Sequence, residues 1–131
     1  MIVLDTHVWL WWLHDPSRLS TAAGKLIRQQ QKSGTMVISS IAVWEVAVKV
    51  QNGKLKIPME INRWFELAAS YPATVIEPLS PVDAIASTQL PGDFHKDPAD
   101  RIIISLARRL GVPLLTCDRK ILAYEHVLTV W

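Results

Sequence analysis

Short apolar segments alternate with helical segments along the whole chain, and this alternation constrains the fold more than any other feature of the sequence. Five segments have the length and apolar character of buried strands: 1–5, 36–39, 74–77, 113–116 and 126–130. Helical periodicity or helix-start signals mark the segments between them: 6–14, 20–32, 40–51, 59–70, 81–89, 98–110 and 119–123. Strands that alternate with helices form parallel sheets with helices on both faces. The pattern therefore predicts one α/β domain over residues 1–131, built on a central parallel sheet of about five strands.

Composition limits the class of protein further. Half of the 131 residues are hydrophobic and 20% are charged, which excludes general disorder. The single cysteine excludes an internal disulfide and a zinc site built from cysteines. No uncharged run approaches the roughly 18 residues that a membrane span needs, and no Lys or Arg precedes the first apolar run, as a secretory signal would require. We therefore expect a cytoplasmic protein with no membrane segment.

Two aspartates follow predicted strands. Asp5 ends the first strand, and Asp118 lies just past the fourth. Ligands of open α/β sheets bind at the carboxyl ends of the strands, so both side chains would project into one crevice if the two strands are neighbours. Aspartate is also a preferred helix N-cap, and each residue could serve the helix that follows it. Two aspartates at corresponding strand ends favour a functional site.

Two further acids occur on or near predicted helices. In the segment 97–100, Asp97 has the position of an N-cap before Pro98, whereas Asp100 is left free near the edge of the buried face. Glu45 stands in a mainly apolar helix, where a charge is rarely buried without a partner. The alternative for Glu45 is a solvent-facing side chain paired with Lys49 at i+4.

Four segments that occur in order along nearly the whole chain carry a resemblance to a known family. They are Met1-Ile-Val-Leu-Asp5-Thr6, Ser39-Ser40 with Val43-Trp44-Glu45, Asp97-Pro98-Ala99-Asp100-Arg101-Ile-Ile, and Leu115-Thr116-Cys117-Asp118. Together they resemble the PIN domain, and specifically VapC-type toxins of type II toxin–antitoxin pairs. Cys117 departs mildly from this pattern, because the family often has a larger polar residue at that position.

The resemblance implies a PIN-like fold and a metal-dependent endoribonuclease that hydrolyses RNA. The acidic residues of the family's site carry over, one by one, onto Asp5, Glu45, Asp100 and Asp118. Hydroxyl side chains expected to support that site are Thr6, Ser39 and Thr116. The implied partners are an RNA substrate, a cognate antitoxin that occludes the site, and a second copy of the chain in a homodimer.

The chemistry of such a site favours Mg²⁺ or Mn²⁺. Hydrolysis of a phosphodiester needs charge neutralised on the phosphate and a water made nucleophilic, and a hard divalent cation can do both. Mg²⁺ prefers oxygen ligands, and carboxylates that cluster without a cation raise one another's pKa. We expect Asp5 with Asp100 or Asp118 to ligate the metal, and Glu45 to act as a further ligand or as the base that orients water.

Basic residues near the acids are the candidates for binding substrate, with Arg101 first and Lys49 and Lys96 next. Other basic residues are assigned to solvated faces: Arg108, Arg109, Arg119 and Lys120. The formal net charge of +2 does not itself indicate a nucleic-acid binder. If the four acids surround a cation, however, the rest of the chain carries 14 basic residues against eight acidic ones, which leaves a basic surface around an acidic centre.

Two other classes of function remain open at this stage. A receiver-like or phosphatase-like α/β domain also gathers acids at strand ends and binds Mg²⁺. His7 stands where the phosphatase type needs a second aspartate, and Ser39 ends the strand where a receiver needs its acceptor aspartate. A non-enzymatic interaction module would use the acids only as helix caps and surface charges. The tryptophans could stack RNA bases, but packing or interface roles are the expectation for Trp9, Trp11, Trp12, Trp44 and Trp64.

Overall fold

A computed structural model describes all 131 residues and contains one five-stranded parallel sheet of order β3-β2-β1-β4-β5. The strands are β1 (Ile2–Leu4), β2 (Met36–Ser39), β3 (Thr74–Glu77), β4 (Leu114–Leu115) and β5 (Thr129–Val130). The helices are α1 (Thr6–His14), α2 (Thr21–Ser33), α3 (Ser40–Gln51), α4 (Ile61–Ala69), α5 (Pro81–Thr88), α6 (Pro98–Leu110) and α7 (Arg119–Leu122), with a 3₁₀ turn at Pro16–Arg18. The predicted α/β fold and its parallel sheet are confirmed.

Alternate residues of the central strands face two separate apolar cores. Ile2 and Leu4 of β1 belong to a core that the sheet shares with α1, α2, α3 and α4, in which Trp9 is fully buried. Val3, between them, belongs to a second core dominated by α6. Burial on both faces explains why β1 is apolar at every position rather than at alternate positions.

The strand order reverses beside β1, and this reversal positions the site. The chain runs from β1 outward to β2 and β3, and then returns to place β4 on the other side of β1. Leu4 of β1 is in register with Leu115 of β4, so the two strands end together. In open α/β sheets, the crevice at such a reversal is where ligands bind.

Several element boundaries differ from the predicted ones for local reasons. Helix α4 begins at Ile61, because Glu60 acts as its N-cap: the Glu60 carboxylate accepts hydrogen bonds from the backbone N–H groups of Asn62 and Arg63. Ser39, rather than Ser40, caps α3. Strand β5 is shorter than predicted, since Arg108 binds the carbonyl of His126 outside the sheet. None of the helices combines the length and apolar character needed to cross a membrane.

An ion pair joins α5, α6 and the edge strand β3. Nε and Nη2 of Arg109 donate to the two carboxylate oxygens of Asp83 at 2.7 and 2.9 Å, and Nη2 lies 3.1 Å from Oε1 of Glu77. Asp83 is only 2% exposed. Arg109 is exposed, as expected for a solvated face, but its guanidinium is also the partner of a buried carboxylate, which the sequence did not predict.

Candidate active site

Asp5 is held in place at the junction of β1 and α1. It is 6% exposed, and each carboxylate oxygen has a hydrogen-bond donor. Oδ1 accepts from the backbone N–H of Thr6 at 2.8 Å, and Oδ2 accepts from the hydroxyl of Thr116 at 2.7 Å. Asp5 is thus the N-cap of α1. The same bonds fix its carboxylate at the carboxyl edge of the sheet.

Asp118 occupies the equivalent place after β4. Its Oδ1 accepts from the backbone N–H groups of Lys120 and Ile121 at 2.8 and 3.3 Å, so it is the N-cap of α7. Its own N–H donates to Oγ1 of Thr116 at 3.0 Å. The buried Thr116 hydroxyl therefore links Asp5 and Asp118 across the end of the β1–β4 pair.

Glu45 reaches the same edge from α3. It is half-buried, and its Oε1 accepts a hydrogen bond of 2.6 Å from the hydroxyl of Thr6. Lys49 does not form the ion pair considered above, because its Nζ lies 3.4 Å from Nε2 of His7 instead. The solvent-facing interpretation of Glu45 is therefore wrong. Thr6 links Glu45 to Asp5, because its hydroxyl donates to Glu45 and its backbone N–H donates to Asp5.

Asp100 enters from the first turn of α6. Its N–H donates to Oδ1 of Asp97 at 3.0 Å, which is the capping role predicted for Asp97. One carboxylate oxygen, Oδ2, lies 3.0 Å from Nε2 of His95, close enough for an ion pair although not aligned as a hydrogen bond. Sequence reasoning gave His95 no role at the site, because it lies in an irregular loop where no periodicity predicts the direction of a side chain.

The acids act on one another electrostatically. Burial, followed by the charges of the neighbouring carboxylates, raises the pKa of Asp100 to about 7. The carboxylates that contribute to this rise include all three other predicted site acids: Asp5, Asp118 and Glu45. Burial is also the main cause that raises the pKa of Asp5 and of Glu45. The four acids therefore form one cluster that holds a proton near neutral pH in the absence of a cation.

The donor set fits a hard divalent cation. The cluster offers carboxylate and hydroxyl oxygens, the ligand type that Mg²⁺ and Mn²⁺ prefer. No three acid, histidine or cysteine side chains stand as close together as the ligands of one bound ion. Mg²⁺ commonly retains several waters and takes only one or two protein carboxylates, so its binding does not require such a three-ligand cage. The residues that could hold it are Asp5, Glu45, Asp100 and Asp118.

Of four other predicted site residues, two form hydrogen bonds with the acids and two do not. Thr6 and Thr116 are in the hydrogen-bond network of the acids. Ser39 is buried at the end of β2, where its hydroxyl accepts from the N–H of Ile41 at 3.2 Å, and it contacts none of the four acids through a hydrogen bond. Lys96 is exposed in the loop before α6. A role for Ser39 or Lys96 in the reaction remains a prediction.

Arg101 holds the loop before α6 together. Its guanidinium donates to the carbonyls of Ser87, Phe94 and His95 at 2.7, 3.0 and 3.2 Å. These bonds keep His95 beside Asp100, so Arg101 positions part of the site through the backbone. Contact between Arg101 and a substrate remains a prediction, and three carbonyl partners already occupy three of its five N–H donors.

Known proteins of similar sequence or structure share the fold of this chain. The profile of the PIN domain family matches residues 2–127. Ribonuclease VapC22 of Mycobacterium tuberculosis is 31% identical over 132 residues, which cover 99% of this chain and 98% of the relative. Among solved structures, VapBC2 from Rickettsia felis bound to a promoter DNA fragment has a TM-score of 0.71 at 18% identity, with 99% of this chain and 98% of that chain covered. A toxin–antitoxin complex from Klebsiella pneumoniae has a TM-score of 0.68 at 16% identity, with coverage of 100% and 97%.

Proposed function

The chain belongs to the PIN domain family, and from this premise we propose that it is a toxin endoribonuclease that hydrolyses RNA phosphodiester bonds with the help of Mg²⁺ or Mn²⁺. The observation that carries the proposal is the junction of Asp5 and Asp118 through Thr116, within electrostatic reach of Glu45 and Asp100. The full-length similarity to Ribonuclease VapC22 supports the same activity. The family match argues against a receiver-like or phosphatase-like domain and against a non-enzymatic module.

The acids have two kinds of role in the proposed reaction: the aspartates would hold the ion, and Glu45 would orient water. A bound divalent cation would neutralise charge on the phosphate and lower the pKa of a bound water. Asp5, together with Asp100 or Asp118, would hold that ion at the carboxyl edge of the sheet. Thr6 engages Oε1 of Glu45, which leaves Oε2 to accept a hydrogen bond from the attacking water. The hydroxyl of Thr116 keeps Asp5 oriented while the substrate binds.

The proposed partners follow from the family. The Klebsiella assembly is a toxin–antitoxin complex, and VapBC2 was solved bound to a fragment of promoter DNA; both have the fold of this chain. We propose that this chain also binds a cognate antitoxin in the cytoplasm, and that the antitoxin covers the acidic cluster. A homodimer is part of the same proposal.

Removal of the metal tests the proposed activity. We expect the purified, antitoxin-free protein to cleave single-stranded RNA in Mg²⁺ or Mn²⁺, to stop when EDTA is in excess, and to resume when more ion is added. Gel analysis of a labelled RNA follows all three steps. Cleavage that persists in EDTA is incompatible with the metal-dependent step, and absence of cleavage under every condition is incompatible with ribonuclease activity.

Asp100 should couple ion binding to pH. Because its pKa rises from 3.8 to about 7 on folding, the folded state retains a proton that the unfolded state releases between about pH 4 and pH 7. The metal-free protein therefore loses stability as the pH rises through that window. A cation that displaces this proton binds better at higher pH, so we expect Mn²⁺ to raise the Tm more at about pH 7.5 than at about pH 5.5. An Asp100→Asn variant should lose most of that difference, and equal shifts of the wild-type Tm at both pH values would refute the coupling.

A further inference from the structure

Two basic side chains and two rings form a continuous strip beside the acids, which we name the α1 rim: Lys49, His7, Trp11 and Arg18. Lys49 Nζ lies 3.4 Å from Nε2 of His7, and His7 follows Asp5 by two residues. The ring of His7 is 6.1 Å from that of Trp11. The guanidinium carbon of Arg18 lies 4.6 Å from the centre of the Trp11 ring. The strip therefore runs from the acidic cluster to the 3₁₀ turn after α1.

Neither cation of the α1 rim has a carboxylate partner. The ion pairs of the structure engage other arginines, as in Arg109 with Asp83 and Arg63 with Glu66, and none includes Arg18 or Lys49. Contact with the Trp11 ring restricts the exposed Arg18 side chain, so less conformational entropy is lost when its guanidinium binds an anion. The α1 rim thus presents two positive charges that form no ion pair within the protein.

These charges lie close to the acids on one side of the cluster. Lys49 acts electrostatically on Glu45, and Arg18 acts on Cys117, which directly precedes Asp118. By contrast, the neighbours that act most strongly on Asp100, on the α6 side, are all carboxylates. Positive charge on the α1 side therefore lies within electrostatic reach of the cluster.

We propose that the α1 rim binds the RNA phosphates adjacent to the scissile phosphate. The guanidinium of Arg18, held against the Trp11 ring, would donate paired hydrogen bonds to one phosphate, and the ammonium group of Lys49 would attract another by its charge. The inference rests on the proposed ribonuclease function and extends it by assigning the side on which the RNA strand lies. Charge complementarity selects the ligand: a polyanion whose reacting phosphate sits at the cation is attracted to unpaired positive charge next to that position. Sequence reasoning named Lys49 but missed Arg18, because only the turn after α1 brings Arg18 onto Trp11.

Salt-dependent RNA binding tests the α1 rim. In the Asp5→Asn background and in EDTA, fluorescence anisotropy of a labelled single-stranded RNA measures affinity without turnover. We expect Arg18→Gln and Lys49→Gln each to weaken binding about tenfold at low salt, and each to reduce the slope of log K against log salt by about 0.7. Trp11→Leu should weaken binding less, since the charge of Arg18 remains. The control Lys32→Gln removes an exposed charge at the end of α2 and should change neither quantity.

The outcomes separate this inference from the proposed function. If wild-type protein fails to cleave RNA, the proposed function fails first. If wild-type protein cleaves RNA but Arg18→Gln and Lys49→Gln match Lys32→Gln in affinity, salt slope and cleavage KM, the α1 rim is not a phosphate site. Variants that keep RNA affinity but lose affinity for the cognate antitoxin would also overturn the inference, and would assign the α1 rim to the antitoxin instead. Lys49 and Arg18 lie on different elements, α3 and the 3₁₀ turn after α1. If one variant misfolds, the RNA affinity of the other still tests the α1 rim.

Discussion

Replacement of Asp5 with asparagine is expected to lower kcat/KM for RNA cleavage by at least about a thousandfold, since several kcal/mol of metal-assisted stabilisation of the transition state would be lost. Asn can still accept a hydrogen bond from the N–H of Thr6, so the cap of α1 is retained. The Thr116 hydroxyl already accepts from Asp118 N–H and can accept from the new amide as well. The folded structure should therefore survive while the charge of the cluster changes.

The matched control for this variant is Asp93→Asn. Asp93 is exposed in the loop before α6 and forms no ion pair in the structure, so its replacement removes the same charge without touching the cluster. We expect Asp93→Asn to cleave RNA within about twofold of the wild-type rate, since surface substitutions away from a site have small effects. Circular dichroism of both variants establishes that they are folded. Wild-type activity in folded Asp5→Asn protein would rule out the proposed centre.

Replacement of Arg109 with glutamine should produce the largest loss of stability. The change leaves Asp83 buried and charged with no partner, and breaking a buried pair in this way costs about 3–5 kcal/mol. Because the Arg109 side chain is 34% exposed, water can partly solvate the remaining charge, and we reduce the expectation to about 2–3 kcal/mol. This loss corresponds to a fall in Tm of roughly 10 °C, measurable by thermal denaturation.

Arg63→Gln is the control for that experiment. Arg63 and Glu66 also form an ion pair, at 3.3 Å, but their side chains are 63% and 67% exposed. Such surface pairs contribute less than about 1 kcal/mol. The double variant Arg109→Gln with Asp83→Asn should be more stable than Arg109→Gln alone, because the unpaired charge is gone. A Tm of Arg109→Gln equal to that of Arg63→Gln would show that the buried pair does not stabilise the fold.

The arrangement of strands and helices could be predicted because each element carries local signals. The apolar run of β1, the Asp97–Pro98 helix start of α6 and the Gly111 stop after it are all readable from neighbouring residues. The same local signals located Asp5 and Asp118, because Asp5 directly follows β1 and Asp118 lies three residues past the end of β4. Their capping and site roles were posed as alternatives. The structure shows both caps, and the two roles are compatible, since a cap at the end of a parallel strand also faces the crevice.

Contacts between distant segments could not be predicted in the same way. The bond from Thr116 to Asp5 spans 111 residues and depends on the register of β1 with β4. The partner of Arg109 lies 26 residues away on another helix. Nothing in the sequence distinguishes Arg109, which pairs with a buried acid, from Arg18, which lies on a tryptophan ring. Charged side chains are long, and their partners are decided by tertiary packing.

Binding of Mn²⁺ is the most direct test of the claim that the four acids form one metal centre. Titration calorimetry can compare wild-type, Asp5→Asn and Asp93→Asn proteins at about pH 7.5, without RNA. We predict measurable binding by the wild-type protein, affinity at least about tenfold weaker in Asp5→Asn, and unchanged affinity in Asp93→Asn. Equal Mn²⁺ affinity in the wild-type and Asp5→Asn proteins, or wild-type protein that cleaves RNA without binding Mn²⁺ or Mg²⁺, would contradict it.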